Sequence, residues 1–201
     1  FQFRGDGELL IMSFSEGSMG LWRAHTGELL QRLKIVPHTF HPSALSRDCR
    51  CIAQLASNHQ IALVDVAGDR VLHTLTGSTS PIWQITFSPN GQYVASGHVG
   101  GQVCVWEVAS GKRCAEWQAH AKSITALAWA ADNLRIATGA LDNSAMIWHA
   151  HTGTLIHTLR GHSDEVSTLD FTPDGERLIT GSHDLTVRLW STSTGELLGV
   201  L

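Results

Sequence analysis

Residues 161–201 read GHSDEVSTLDFTPDGERLITGSHDLTVRLWSTSTGELLGVL, and this stretch decides the fold. Its apolar residues fall into four short groups, near residues 166–171, 178–180, 187–190 and 197–201. Turn-forming residues separate these groups at 172–175, 181–184 and 193–195, and the third group alternates apolar with polar side chains. The pattern predicts four short strands in an antiparallel meander, and nothing in it has the period of a helix.

The same pattern recurs along the chain with a period of 42 residues. Trp22, Trp106, Trp148 and Trp190 lie 42 residues apart or twice that distance, and Val64 occupies the vacant place. We therefore expect five units, with approximate bounds 1–33, 34–75, 76–117, 118–159 and 160–201, the first lacking most of its first strand. A sheet that is apolar on both faces must be covered by its neighbours, so the units are expected to stack radially as one all-β domain.

Composition narrows the range of possible functions. The chain has 43% hydrophobic and 16% charged residues, as is usual for a globular protein, and its net charge is −4. An acidic balance of this size gives no electrostatic reason to expect a nucleic-acid or membrane partner. No apolar run approaches the roughly 20 residues that a membrane-spanning helix needs.

Two further features concern the context of the chain. It begins at Phe1 without an initiator Met or a signal-like stretch, so we expect it to be a segment of a longer protein. Its cysteines are out of phase with the repeat and lack the spacing of a metal site, which favours free thiols in a reducing compartment over disulfides. They are Cys49, Cys51, Cys104 and Cys114.

These units resemble the repeats of the WD40 family. The last unit contains Gly161-His162, a turn that ends in Asp184 and a strand that ends in Trp190, which match the family's Gly-His pair, turn aspartate and tryptophan. The aspartate that follows the family's tryptophan is replaced here, at a position that tolerates substitution. The resemblance covers nearly the whole chain. It implies a segment of a WD40-type β-propeller with about five four-stranded antiparallel blades, the first truncated.

The resemblance also implies a structural hydrogen-bond network wherever the family's residue types are present. In the fourth and fifth units the matching residues are His120, Thr138, Asp142 and Trp148, then His162, Thr180, Asp184 and Trp190. The third unit has Ser78, Ser96, Gly100 and Trp106 in these places, so its network is expected to be broken.

In this family, side chains that contact partners usually flank the first apolar residue of the first strand or precede the turn aspartate. The resemblance thus implies a partner-binding rim, formed by His41, Trp83, Val99, Thr125, Leu141, Glu165, Ser167 and His183. Trp83 differs from its counterparts in phase, which are polar. Together with Val99 and Leu141 it predicts an exposed apolar anchor. The alternative is that Trp83 only covers the central channel.

Three patterns that suggest other chemistry are better explained by the repeat. His, Asp and Thr repeat together in the fourth and fifth units, whereas a hydrolase site would not be copied every 42 residues. His149-x-His151 has the spacing of a metal pair, but no third ligand is apparent. The glycines of residues 97–101 resemble a phosphate loop, yet no helix follows and no lysine is present. We expect no metal, no cofactor and no catalytic residue.

The function expected from the resemblance is a non-catalytic scaffold that binds a protein or peptide on its rim, in the cytoplasm, or in the nucleus of a eukaryote. One alternative is a sensory or autoinhibitory module fused to a catalytic domain such as a kinase or NTPase. In either case the parent chain is expected to supply further blades or a fused domain. An enzymatic propeller would need charged groups converging in the channel, and the rim residues do not offer them.

Overall fold

A computed structural model describes residues 2–3, 8–13, 19–33, 43–56, 59–68, 70–77 and 80–201. Within these ranges the regular elements are 20 β-strands, numbered β1 to β20 in chain order. They form five antiparallel four-stranded sheets, and each sheet contains four consecutive strands. We call these sheets blades 1 to 5. The prediction of an all-β chain with five blades and a truncated first blade is confirmed.

Most strands of blades 2 to 5 have five or six residues, and the shortest are the first strand of blade 2 and the last strand of blade 5. Blade 1 comprises Gln2–Phe3, Leu9–Ser13, Met19–Arg23 and Glu28–Leu33. Blade 2 comprises Ser43–Leu45, Cys51–Ala56, Gln60–Asp65 and Arg70–Leu75. Blade 3 comprises Ile82–Phe87, Tyr93–His98, Gln102–Glu107 and Arg113–Gln118. Blade 4 comprises Ile124–Trp129, Arg135–Ala140, Ser144–His149 and Leu155–Arg160. Blade 5 comprises Val166–Phe171, Arg177–Ser182, Val187–Ser191 and Leu197–Val200.

One strand extends further than its sequence predicts. The turn expected at 181–184 begins two residues later. Gly181 pairs with Thr168 and Ser182 pairs with Val166, so both belong to the ladder between β17 (Val166–Phe171) and β18 (Arg177–Ser182). Glycine and serine have low strand propensity, but cross-strand pairing decides the conformation here.

The periodic tryptophans occupy the same place in successive blades. Each is in the third strand, and its Cα partner is an aliphatic residue of the second strand. These pairs are Leu10↔Trp22, Val94↔Trp106, Ile136↔Trp148 and Leu178↔Trp190. In blade 2 the equivalent pair is Ile52↔Val64. The side chains of Trp106, Trp148 and Trp190 are buried. The 42-residue period therefore reflects one repeated structure.

The core lies between blades, since each blade covers the next. We define the forward face of blades 2 to 5 by the central cross-strand pairs Ala53↔Leu63, Ala95↔Val105, Ala137↔Ile147 and Ile179↔Leu189. The opposite face is the rear face. Ala137 and Ile147, for example, form one buried cluster with Leu178 and Trp190 from the rear face of blade 5. The first strand of each of blades 3 to 5 also contacts the first strand of the blade before it.

Each turn between the first and second strands of blades 2 to 5 contains an Asp or Asn, and these residues are 42 positions apart: Asp48, Asn90, Asp132 and Asp174. The Ser88 hydroxyl donates a 2.7 Å hydrogen bond to Asn90, and Thr172 donates in the same way to Asp174. Gly91 and Gly175 follow with φ of 71° and 70°, a conformation that favours glycine. These turns lie at the end of the blade opposite to the predicted rim.

Candidate functional site

Three predicted rim residues lie at the same β-bulge in successive blades. In blade 3, Ile82 pairs with His98 and Gln84 pairs with Gly97, so Trp83 is the extra residue between them. The registers of blades 4 and 5 shift in the same way and leave Thr125 and Ser167 as the extra residues. Because a bulge removes one residue from the ladder and re-aims its side chain, this position can be changed without breaking the sheet.

Polar and aromatic residues use the bulge differently. The Thr125 hydroxyl is 3.1 Å from the carbonyl oxygen of Gly139, on the neighbouring strand, and it also donates to the carbonyl oxygen of Val166 in the next blade. Ser167 reaches the Gly181 carbonyl at 3.4 Å. Trp83 has no hydroxyl that could donate to the carbonyl of the neighbouring strand. Its side chain is 55% exposed. Trp83 is therefore a large apolar side chain that faces solvent.

Val99 and Leu141 belong to the same rim and are joined through backbone groups. The Val99 amide donates to the Pro81 carbonyl, two residues before Trp83, and the Val99 carbonyl accepts a 2.8 Å hydrogen bond from the Ser123 hydroxyl. The Ser123 carbonyl in turn accepts from the Leu141 amide at 3.0 Å. Val99 is exposed and Leu141 is half-buried. This chain of hydrogen bonds connects the rim loops of blades 3 and 4.

The rim of blade 5 is polar. His183 Nδ1 lies 2.8 Å from a carboxylate oxygen of Glu165, and the His183 amide donates to the Glu165 carbonyl. Ser167 is exposed beside them. His41, also predicted for the rim, lies outside the described residues. Seven of the eight predicted rim residues are thus placed. Trp83, Val99 and Leu141 form an apolar part on blades 3 and 4, beside Thr125, and the residues on blade 5 form a polar part.

The residues of the expected hydrogen-bond network are together in blade 4. His120 Nδ1 is 3.0 Å from Asp142 Oδ2, and His120 Nε2 is 2.7 Å from the Thr138 hydroxyl. Trp148 Nε1 donates to the same hydroxyl at 2.9 Å. A neutral imidazole with its proton on Nδ1 satisfies every one of these groups. The hydroxyl is held from both sides and is fully buried, so it has no access to a substrate.

Blade 5 has the same arrangement. His162 lies 2.9 Å from Asp184 and 2.8 Å from the Thr180 hydroxyl, which also accepts a 2.9 Å hydrogen bond from Trp190 Nε1. The Thr186 hydroxyl donates to Asp184 at 2.7 Å, and this hydrogen bond is the main cause that lowers the pKa of the Asp184 carboxyl.

Sequence reasoning missed one histidine of blade 3. His98 is fully buried, and its Nε2 lies 2.7 Å from the Ser96 hydroxyl while its Nδ1 lies 3.0 Å from the Ser80 carbonyl. In blade 3 the imidazole therefore comes from strand β10 (Tyr93–His98). In blades 4 and 5 it comes from the loop before the first strand of the blade. Trp106 Nε1 is buried and finds no hydrogen-bond partner among the described residues. Ser78 lies outside those residues. The signal available in the sequence was a histidine two residues after Ser96.

Two buried histidines are held in the neutral form. Burial lowers the pKa of His98, although the Ser80 carbonyl opposes the shift. Burial also lowers the pKa of His120, and the Asp142 carboxylate opposes it. For Asp142 itself, burial raises the pKa, but hydrogen bonds from Ser144 and the contact with His120 outweigh it, so the net change is downward. Both histidine shifts favour the uncharged imidazole, and the Asp142 shift favours the carboxylate that the His120 ring contacts.

Other groups considered in the sequence lie apart from the rim. The ring of His151 packs against Tyr93 with centroids 4.6 Å apart. In the described ranges no three His, Cys, Asp or Glu side chains are grouped so that they could hold a metal ion. None of the four cysteines forms a disulfide, and burial raises the pKa of Cys51 and Cys104 to about 11. The described residues also contain no helix that is long and apolar enough to cross a membrane.

Comparison with known proteins adds to this geometry. Three tandem stretches, residues 69–107, 111–149 and 153–191, match the WD40 family, described as WD domain, G-beta repeat. Each stretch runs from the fourth strand of one blade through the third strand of the next. The sequence repeat is therefore offset from the blade by one strand, so that each repeat links two neighbouring sheets.

Several relatives are similar over about half of the chain. It is 32% identical over 99 residues to the pre-rRNA-processing protein IPI3 of Mycosarcoma maydis, which is 49% of this chain and 16% of that protein. It is 35% identical over 118 residues to protein tipD of Dictyostelium discoideum, covering 54% and 19%. It is 29% identical over 115 residues to the serine-threonine kinase receptor-associated protein of Gallus gallus, covering 56% and 32%.

The matched parts thus cover about a third or less of each relative's length. WD40 repeats are in general non-catalytic modules that bind protein partners. Because the family's repeats match more than half of the residues, and because all five blades have the expected strand order, the chain belongs to the WD40 repeat family.

Proposed function

We propose that this chain is a non-catalytic interaction scaffold that holds a protein or peptide partner on the rim around Trp83. The observation that carries the proposal is the 55% exposure of Trp83 at a bulge where the neighbouring blades have hydroxyl residues. Tryptophan is costly to expose and is a frequent anchor of protein interfaces. Val99, which is exposed, and Leu141, which is half-buried, are the other apolar residues of the predicted rim.

The rim also favours a particular kind of contact. The apolar part on blades 3 and 4 lies next to a polar part formed by Glu165 and His183 on blade 5. A partner that inserts an apolar side chain against Trp83 and places polar groups toward blade 5 would match both parts. The net charge of −4 supports a protein partner over a nucleic acid.

The relatives support a scaffold role. One is named as a protein associated with a serine-threonine kinase receptor, and another as a protein of pre-rRNA processing. Those names describe the relatives; for this chain they support the general role of assembling with other proteins. We also propose a cytoplasmic or nuclear location, because four cysteines that form no disulfide fit a reducing compartment.

The test is a peptide library displayed on phage and selected for binding to the intact chain. We expect enriched peptides to lose binding to the Trp83→Ala variant and to retain much of it with Trp83→Phe. Leu134→Ala is the matched control, since Leu134 is equally exposed but lies in a turn at the opposite end of its blade. Peptides that bind the Trp83→Ala variant as well as the parent would place the partner site elsewhere.

A further inference from the structure

The rim loops that enter blades 3, 4 and 5 differ in charge at the two positions before the first strand. These positions hold Ser80 and Pro81 in blade 3, Lys122 and Ser123 in blade 4, and Asp164 and Glu165 in blade 5. We call Asp164 and Glu165 the acidic pair. The rim is thus uncharged on the side of Trp83 and carries two carboxylates at blade 5.

The acidic pair and Trp83 are connected along the inner side of the blades. The first strand of blade 4 contacts the first strands of both blade 3 and blade 5. The Gln84 side-chain amide donates a 3.0 Å hydrogen bond to the Thr125 carbonyl, and the Thr125 hydroxyl donates to the Val166 carbonyl. Gln84 follows Trp83 in the chain, and Val166 follows Glu165. One segment of a partner lying across blade 4 can therefore reach both.

The Glu165 carboxylate is positioned by His183 and can accept a further donor. One of its oxygens lies 2.8 Å from His183 Nδ1, and the two side chains are 25% and 61% exposed. A carboxylate has two oxygens with about four acceptor sites, so a single contact leaves capacity for another hydrogen bond. Because the carboxylate is partly buried, water and salt screen it less than a fully exposed charge.

Asp164 is exposed, and its loop is held by hydrogen bonds that leave the acidic pair available. The Asp164 carboxylate accepts from the Glu165 amide at 2.8 Å, and the Asp164 carbonyl accepts from the Ser182 hydroxyl at 3.0 Å. Elsewhere the chain supplies its own cation to a carboxylate, as where Arg135 Nε lies 2.7 Å from Asp132. In the described ranges no lysine or arginine nitrogen lies within 4.0 Å of either carboxylate of the acidic pair.

Three basic residues at the same end of blades 4 and 5 give the charge a direction. Lys122 is exposed on the loop that enters blade 4, and Arg160 ends the outermost strand of that blade. Arg188, in the third strand of blade 5, has its guanidinium beside Gly161. A cationic group of a partner is therefore attracted to the acidic pair and repelled by the loop of blade 4, so the site favours one orientation of a bound segment.

We infer that the partner segment carries an apolar side chain that lies against Trp83 and a lysine or arginine that lies against the acidic pair. This inference rests on the proposed binding of a peptide at Trp83. Charge complementarity selects the occupant, because an acidic or phosphorylated segment would be repelled by two carboxylates. Packed sheets are about 10 Å apart and an extended chain rises about 3.3 Å per residue, so about six residues or fewer separate the apolar and the basic residue.

The test uses a phage library in which each peptide has one fixed phenylalanine and random residues around it. Peptides are selected on the intact chain and then screened against Trp83→Ala, which identifies those that use the rim. Among these peptides we expect Lys and Arg to be enriched, and Asp and Glu depleted, within about six residues of the phenylalanine. Synthetic peptides with the basic residue, or with glutamine in its place, are then labelled for fluorescence anisotropy.

Glu165→Gln removes the charge and keeps an oxygen that His183 can contact. It should weaken binding of the basic peptide by about three- to tenfold and leave binding of the glutamine peptide unchanged. The difference should shrink between about 0.1 M and 1 M salt, as the screening length falls from about 10 Å to about 3 Å. Glu176→Gln is the matched control, since it removes one exposed charge in a turn at the opposite end of the same blade. It should change neither affinity.

The outcomes separate this inference from the proposed function. Peptides that need Trp83 but bind Glu165→Gln as tightly as the parent would overturn the inference and leave the proposed function in place. Enrichment of Asp and Glu would also overturn it, and would indicate Lys122 as the charged contact. A selection in which no peptide depends on Trp83 would overturn both. If Glu165→Gln lowered the Tm, Asp164→Asn would replace it, because asparagine keeps the oxygen that accepts the Glu165 amide.

Discussion

Trp190 Nε1 donates a hydrogen bond of 2.9 Å to the Thr180 hydroxyl, and both side chains are almost fully buried. His162 Nε2 shares this hydroxyl from the other side at 2.8 Å. One oxygen therefore connects the second strand, the third strand and the loop before the blade. Blade 3 has a serine in the same place, but its tryptophan nitrogen has no partner among the described residues.

Thr180→Val tests this shared hydroxyl with almost no change of shape. It leaves the buried nitrogens of His162 and Trp190 without their partner, so we expect a loss of about 2 to 4 kcal/mol in the free energy of unfolding. Thr180→Ser keeps the oxygen and should cost less. Urea denaturation measures both. Equal losses for the two variants would show that packing, and not the hydrogen bonds, sets the stability of this site.

Trp83→Ala and Trp190→Ala separate a surface tryptophan from a structural one. Trp190 is 3% exposed and packs between blades 4 and 5, so its removal should destabilise the chain by about 3 to 5 kcal/mol. Trp83→Ala should change the free energy of unfolding by less than about 1 kcal/mol. Thermal melting followed by circular dichroism compares them. If Trp83→Ala were the more damaging variant, Trp83 would be a packing residue.

Gly139→Ala tests the close approach of neighbouring blades. The new methyl group would lie 2.7 Å from Val166 Cγ1, and relieving this clash should cost about 1 to 3 kcal/mol. Gly199→Ala is the matched control, since nothing lies within 4 Å of its added Cβ. The clash should also show as non-additivity with Val166→Ala in a double-mutant cycle. Strict additivity would mean that the two blades are not in contact there.

Stability should fall as the solution is acidified from neutral pH. Burial lowers the folded-state pKa of His98 and His120 below their ordinary value of 6.5, so the unfolded chain binds protons more readily. The stability that the neutral imidazoles contribute is complete above this value. It is lost as the pH falls through 6.5 and on through the lower folded-state values. Below pH 4 the lowered pKa of Asp142 adds a second loss.

The measurement is the free energy of unfolding at pH 7.5 and pH 5.0. His120→Gln keeps a polar side chain that does not titrate, so its stability should depend less on pH than that of the parent. A parent chain with the same stability at both pH values would contradict the neutral assignment of both histidines.

Much of the fold could be predicted because the same pattern of apolar and turn-forming residues recurs in five units. The tryptophan period located the third strands, and the Asp and Asn series located the turns between first and second strands. The end of β18 could not be predicted, because Gly181 and Ser182 are turn formers that become strand residues only through pairing with Thr168 and Val166. His98 was missed for a similar reason, since its role depends on a carbonyl 18 residues away.

For the candidate site, the sequence distinguished Trp83 because the residues at the equivalent position of other units are polar. They are His41, Thr125 and Ser167. It did not reveal the bulge that turns this residue outward, because a bulge is a relation between two strands and leaves no mark in one strand alone. The apolar and polar parts of the rim could be distinguished only once the structure placed the loops of blades 3, 4 and 5 side by side.

The sequence by itself determined the strand pattern, the number of blades and the family, because local alternation and a fixed period are properties of the chain read in order. The tertiary structure decided which apolar faces are covered, since burial depends on the neighbouring sheet and not on the residue. Ile179 and Ala137 hold equivalent places in the repeat, yet only the folded arrangement shows that one is exposed and the other buried.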